Sequence, residues 1–483
     1  MSEREPGWVK WVGILVLIMG IFALFFRVGE MPIYEWDEAR LAANAQEMMA
    51  KGDLVVTYFN GEPDHWNTKP PLMIILEAAS MSIFGQTTLA FRLPALIASL
   101  ITLIYLSWLG RRITGSNWGL MAGGILGTMP GYIQHHAART GDYDALLTLF
   151  LVLTLGHFLQ YIFVDQKRTR WIWIGLFLTL ATLTKGIASY FLLPGMALTG
   201  LFFFKIWKKH IWWILGVIIF HLVIVSGYYL LRESMDPGYL QAVWENELGG
   251  RFGSSIEQHK QPAFFYLNNF ISHGSAIYFL LIPFWLFALW LERSYRKPLE
   301  VVTITLILFE LIISSAGTKL FWYDVPAYPL IALGLTLAIH KLVKVEAIRP
   351  KWRKGFYGLI IFVSVFSFGR TLDVLSDHIL KWKRIPAYAI PIYLKDHQEA
   401  IPKDVPVFAF YDGYSTQIRF YMNSLGYKRW INPDLWVLED SGLVILSQSE
   451  VRERLEKDFQ LTLVDSITDP NPVYLMQFQR KKN

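Results

Sequence analysis

Long apolar runs alternate with short polar loops through most of the chain. A helix that crosses a bilayer needs about 20 mostly apolar residues, and about eleven runs approach that requirement, beginning near Trp8, Thr88, Trp118, Asp144, Trp171, Ala188, Ile211, Gly274, Leu299, Asp324 and Phe356. The first, Trp8 to Phe26, lacks a small-residue cleavage site, so it reads as a retained span. Thr184-Lys185-Gly186 alone separates the fifth run from the sixth. The stretch 70–85 is apolar but brief and carries Glu77, which predicts an interfacial or re-entrant helix. After about residue 371 the pattern changes. Val405 to Tyr411, Leu443 to Leu446 and Val473 to Phe478 read as strands, interleaved with helices through Arg419 and from Glu450 to Lys457. The expected architecture is therefore an α-helical polytopic membrane domain, 1–371, followed by a small α/β domain, 372–483.

Lys and Arg set the orientation. The stretches Arg111-Arg112, Lys167 to Arg170, Lys205 to Lys209, Arg293 to Lys297 and Lys341 to Lys354 all fall on one side when the N-terminus is cytoplasmic. The other polar clusters then face outward: Glu30 to Pro71, Gly131 to Asp142, Arg232 to His273 and Gly317 to Tyr323. An odd number of spans places the C-terminal domain outside as well, in the periplasm if the membrane is a bacterial inner membrane.

Composition agrees with the membrane reading: 53% of residues are hydrophobic and 17% charged, against about 25% charged in soluble domains. The net charge of +6 comes from 45 basic and 39 acidic residues. The basic residues sit between apolar runs, so they orient helices and do not indicate nucleic acid. With no cysteine there is neither disulfide nor thiolate chemistry.

The outward loops carry the candidate chemistry. Tyr34-Glu35-Trp36-Asp37-Glu38-Ala39-Arg40 opens a helix, where Asp37 or Glu38 is placed to act as a general base. Lys69 stands before Pro70-Pro71 at a rigid corner. His135-His136 lies near two acids, but adjacent histidines diverge on a helix, which argues against a metal there. Arg139 and Asp144 read as a polar pair facing a cavity. Lys185, Arg251 and Lys319 add cations at outward helix ends, with Tyr323 beside Lys319 and with His259 and Lys260 in the long loop. Recurrent cations beside Asp37 and Asp144 suit an anionic head group at the membrane surface, phosphate above all. His221 and Glu310, inside spans, read as interhelical contacts. A transporter or flippase is the competing reading, although it requires polar groups continuing through the bilayer.

The series Trp36-Asp37-Glu38-Ala39-Arg40, Gly52-Asp53, Asn60-Gly61, Lys69-Pro70-Pro71, Phe84-Gly85 and Arg92-Leu93-Pro94 resembles the bacterial GT-C membrane glycosyltransferases. More narrowly it is similar to the group that contains the lipid A aminoarabinose transferases and the protein O-mannosyltransferase-like enzymes. The resemblance implies a sugar on a polyprenyl-phosphate donor, inverting transfer to a lipid, glycan or protein acceptor, and a catalytic role for Asp37 with Glu38 beside it. It implies that Lys69 faces the donor phosphate and that Asp144, Lys185 and Lys319, with Tyr323, occupy further cavity positions; Arg139 and Arg251 join them as substrate-binding candidates from their placement at outward helix ends. It further implies a divalent metal held by His259 and an acid directly before Lys-Pro-Pro, but this sequence has Thr68 at that position.

Overall fold

The computed structural model describes residues 5–134, 136–252, 261–272, 275–291, 297–344, 350–402, 405–427 and 438–481. Among these, eight helices are long and apolar enough to cross a membrane: Trp8–Phe25, Thr88–Thr114, Tyr143–Asp165, Thr169–Tyr190, Phe204–Met235, Lys297–Ser315, Ala327–Lys344 and Gly355–Lys383. The helices Phe265–Ser272 and Ser275–Trp290, bent by 104°, make a ninth if counted as one span.

The sequence predicted about eleven, and the two runs that differ are broken for local reasons. The run near Trp118 folds as a tight turn, Asn117–Leu120, and a short helix, Met121–Gly127. Its continuation stops because Met129, held before Pro130, adopts an extended backbone with ψ 112°. The run near Ala188 starts at Gly186, whose φ of +52° ends the preceding helix, and resumes as Leu193–Phe202. The short helix is nevertheless central. A Cβ on Gly20 would stand 2.9 Å from the Cα of Gly127, so Trp8–Phe25 and Met121–Gly127 cross at backbone contact. His221 joins two spans through Thr179 and Tyr190, at 2.9 and 2.8 Å, as expected. Glu310 has no hydrogen-bond partner among the described residues, so its expected contact is not formed.

Between the first two spans the chain forms an amphipathic helix, Asp37–Lys51, a two-stranded hairpin (β1, Tyr58–Phe59; β2, Glu62–Pro63) and the short helix Leu72–Phe84. Asp37 and Glu38 occupy the first turn of Asp37–Lys51, where the helix dipole favours acids. Gly52, with φ +69°, closes that helix by donating its N–H to the Met48 carbonyl. The apolar face of Asp37–Lys51 is mostly alanine, which lets neighbouring elements approach closely.

One of those neighbours is the C-terminal domain. Its sheet has the order β3-β4-β6-β5, from Val407–Phe410, Ser441–Leu446, Val473–Arg480 and Phe459–Ile467. The β3–β4 pair is parallel and the others antiparallel. Strand β5 was not expected: it follows the helix Ser449–Asp458 with no intervening turn and lies at a mostly exposed edge. The helix Pro350–Lys383 runs straight through the boundary predicted at residue 371. Domain and membrane part share one apolar core, in which Ala42, Ala45 and Met73 meet Ile390, Ile418 and Phe420.

Candidate active site

Two cavities meet between the helix ends. The larger, about 1080 Å³, is walled largely by apolar residues such as Leu147, Ile187, Phe191 and Phe309. The smaller, about 390 Å³, is polar and contains Asp37, Asn67 and Asp142. Lys69, Asp144, Lys185 and Tyr323 line both, so the cations stand at the junction.

Each of these side chains is held by identifiable contacts. Lys185, at the end of Thr169–Lys185, donates to both oxygens of Asp144 at 2.6 Å and lies over the Tyr323 ring at 5.4 Å. Both charges are buried, and the pair satisfies the partner requirement of an acid at the start of an apolar span. Arg139 is therefore not the partner of Asp144, contrary to expectation: it donates to the Phe26 carbonyl and lines a different recess. Lys69 is set by its loop. Tyr239 donates to the Thr68 carbonyl at 2.7 Å, and Asn67 bridges Tyr143 to Asn44 at 2.9 Å on each side. Asn44 and Arg40 both donate to Asp64, which ties this loop to the helix bearing Asp37.

The two adjacent acids have opposite fates. Asp37 faces the smaller cavity, and no hydrogen bond or ion pair engages its carboxylate among the described residues. Glu38 is 0% exposed and fully committed. Its Oε1 accepts from Arg92 Nε at 2.7 Å and Gly141 N–H at 2.9 Å; its Oε2 accepts from Arg92 Nη2 and Tyr34 N–H, both at 2.8 Å. The assignment of Glu38 as a catalytic acid is corrected on this ground: it has no oxygen left to face a substrate.

Trp36 explains how Asp37 is aimed. Its φ of +66° with ψ −115° is a conformation that non-glycine residues avoid, at a cost of about 1–3 kcal/mol. Tyr414 of the C-terminal domain stacks on it at 4.4 Å and 21° and donates to its carbonyl at 3.2 Å. Tyr388 and Tyr421 accept from the N–H groups of Glu35 and Ile33 at 3.2 and 3.0 Å, and Arg419 pairs with Glu47 at 2.6 Å. The soluble domain thus clamps the loop that carries Asp37. Tyr414→Ala should release Trp36 and lower turnover about 10- to 100-fold, the penalty of a small misplacement. Unchanged steady-state kinetics in that variant would show that the clamp is not needed.

Other expected members stand elsewhere. Lys319 donates to the Gln261 carbonyl at 3.2 Å and lines neither cavity, although Thr318 beside it lines the larger. The Arg251 side chain, His259 and Lys260 lie outside the described residues. A carboxylate does stand beside Thr68, but it comes from Glu247: the Thr68 hydroxyl donates to it at 3.1 Å, and Lys69 faces it at 3.4 Å. With an ammonium already against that carboxylate, these groups do not fit a divalent cation, and among the described residues no three His, Asp or Glu converge as a metal site.

Sequence reasoning weighed His136 only as one of a histidine pair near two acids and missed its pairing with Asp142. The His136 ring stacks on Trp322 at 4.0 Å and 12° and faces Asp142 at 3.3 Å, while Thr140 donates to Asp142 at 2.6 Å. Burial lowers the His136 pKa, but Asp142 outweighs it and raises the value from 6.5 to about 9. His136 and Thr140 in turn hold Asp142 below the usual carboxylate range despite its burial. Because the folded pKa of His136 is raised, its stabilisation is complete below pH 6.5 and fades as pH rises through about 9. The difference in Tm between wild type and His136→Gln should shrink over that window. A difference constant with pH would refute the pairing.

Residues 68–229 match the dolichyl-phosphate-mannose-protein mannosyltransferase family. An uncharacterized protein of Aquifex aeolicus is 25% identical over 82% of this chain and 77% of its own length. The undecaprenyl phosphate-alpha-4-amino-4-deoxy-L-arabinose arabinosyl transferase of Pseudomonas savastanoi pv. phaseolicola is 24% identical over 68% of this chain. That alignment spans 60% of the relative's own length. The fold is similar to that of ArnT from Cupriavidus metallidurans bound to undecaprenyl phosphate, with TM-score 0.73 and 17% identity over 97% of this chain and 98% of that one. Fold and sequence together show a multi-pass membrane protein with an ArnT-like fold that is similar, over part of its length, to the aminoarabinosyl transferases and to the dolichyl-phosphate-mannose-protein mannosyltransferase family.

Proposed function

We propose that the protein transfers a sugar from a polyprenyl-phosphate donor to a lipid, glycan or protein acceptor. The observation that carries this reading is the junction of the two cavities. The larger, with its apolar walls, suits the isoprenoid chain, Lys69 and Lys185 stand where the phosphate would lie, and Asp37 lines the smaller, polar cavity next to them. Asp37 removes the proton from the acceptor nucleophile, which attacks the anomeric carbon from the face opposite the phosphate and so inverts it. The carbon–oxygen bond to phosphate breaks as the new one forms. The leaving phosphate gains charge, and the two ammonium groups stabilise that gain more than they stabilise the bound donor.

Orientation follows from the same map. Arg111 and Arg112 end the helix Thr88–Thr114, whose opposite end carries Arg92 beside the acid-bearing loop. The Arg111-Arg112 pair and the acid-bearing loop thus lie at opposite ends of this span. This supports a site on the external face of a bacterial inner membrane, a cytoplasmic N-terminus and a periplasmic C-terminal domain, 372–483. The test is to incubate the purified protein with native membrane lipid extract and follow free polyprenyl phosphate by mass spectrometry, with Asp37→Asn as control. Release by the wild type alone supports the reading. Transbilayer movement of the lipid-linked sugar without release would replace it with a flippase.

A further inference from the structure

A third, small recess is lined by Arg139 and Thr140, whereas Asp142, two residues further on, lines the smaller cavity above. Its walls come from the end of the first span (Arg27, Val28), the start of Thr88–Thr114 (Arg92), the loop residue Arg139, and Leu375 and Ile379 of the last membrane helix. No acidic side chain lines it among the described residues.

The three guanidinium groups differ in how they are neutralised. Arg27 makes two hydrogen bonds to Glu30, at 2.5 and 2.7 Å. Arg92 spends its donors on Glu38 and on the carbonyls of Val28, Met31 and Pro32. Among the described residues no carboxylate pairs directly with Arg139, Glu30 acting on it only at a distance. It is 7% exposed, its Nη2 donates to the Phe26 carbonyl, and its buried Nη1 has no hydrogen-bond partner among the described residues. Burial and the like charges of Arg92 and Arg27 push the Arg139 pKa down to about 10, the signature of a cation with its counterion missing. Buried cations are ordinarily paired, because an unpaired one loses its hydration without recompense.

The geometry points to a second anion site: the recess takes a phosphate group, with Arg139 as its principal ligand. A tetrahedral oxyanion accepts from several guanidinium N–H groups at once, and Arg is the side chain suited to it. The recess opens between the ends of two membrane helices, beside apolar Val28, Leu375 and Ile379, which is the level of lipid head groups. A lipid-borne phosphate is thus the natural occupant, and free phosphate shares its chemistry. The site adjoins the smaller cavity through one continuous wall. Thr140 lines the recess and donates to Asp142, while Gly141 and Arg92 both bind Glu38, the neighbour of Asp37. Phosphate binding in this recess does not depend on the function proposed above.

Binding is measured by thermal stabilisation of the full-length protein in detergent, for wild type, Arg139→Met and Lys69→Ala. One arm adds inorganic phosphate and a second adds phosphatidic acid in mixed micelles. Wild type and Lys69→Ala should both be stabilised in a saturable way, and Arg139→Met should lose that response at least tenfold in apparent affinity. Without phosphate, Arg139→Met should melt at or above the wild-type temperature, since it removes an unpaired buried charge. Stabilisation by phosphatidic acid alone identifies a lipid-borne group, whereas stabilisation by both arms identifies an oxyanion site open to either source. An unchanged response in Arg139→Met, no response in wild type, or a phosphate-independent loss of stability in Arg139→Met would each overturn the proposal. Because no sugar transfer is read, failure of the transferase reading cannot be mistaken for failure of this one.

Discussion

Asp37→Asn should reduce sugar transfer by about 10²- to 10⁴-fold, the usual contribution of a positioned general base, and leave the protein folded. The two halves of that expectation have separate causes. The carboxylate makes no hydrogen bond or ion pair among the described residues and faces the cavity that holds Lys69 and Lys185. Among the described residues its charge is felt through the dipole of its own helix, worth about 0.3–1 kcal/mol, and through a secondary contribution to the raised pKa of His136. Asparagine retains the shape and loses the basicity. The measurement is single-turnover release of polyprenyl phosphate alongside a melting curve. Turnover near that of the wild type would remove Asp37 from the chemistry, and a large loss of Tm would show that its role is structural.

Glu38→Ala should behave in the opposite way, although the two residues are neighbours. It leaves Arg92 fully buried with its charge uncompensated, and removing one partner of a buried pair typically costs about 3–5 kcal/mol. It also strands the N–H groups of Tyr34 and Gly141, which now donate to the carboxylate. The loop before Asp37–Lys51 and the loop before Tyr143–Gln160 are joined through this one side chain, so loss of activity should follow from loss of order. A double variant, Glu38→Ala with Arg92→Met, should recover part of the stability because it removes the orphaned charge. A melting series in one detergent decides the matter. Full stability in Glu38→Ala would contradict the buried network.

Much of the architecture was legible because the bilayer imposes a one-dimensional rule. Length and apolarity suffice to find Trp8–Phe25, Thr88–Thr114 or Ala327–Lys344. The rule fails where helices are broken inside protein. Hydropathy alone cannot distinguish Met121–Gly127, packed by its glycines against the first span, from a helix exposed to lipid. In the soluble domain, β3 and β4 stood out as apolar runs, whereas β5 was hidden by its exposed, mixed face at the sheet edge.

The candidate site divides along the same line. Residue types and spacing alone singled out Asp37, Lys69, Asp144, Lys185 and Tyr323, because charges next to apolar spans are costly and seldom idle. Partnership was not legible. That Lys185 and not Arg139 neutralises Asp144, that Glu38 serves Arg92, and that Glu247 supplies the carboxylate beside Thr68 all depend on helices distant in sequence meeting at one point. The same holds for His136, which became a plausible cation only once Asp142 and Trp322 surrounded it. The sequence by itself determined which segments are apolar enough to leave water and which charges needed an explanation, since transfer free energy is a local property of side chains. Only the tertiary structure decided which charge answers which, because electrostatic pairing depends on distances that no spacing along the chain encodes.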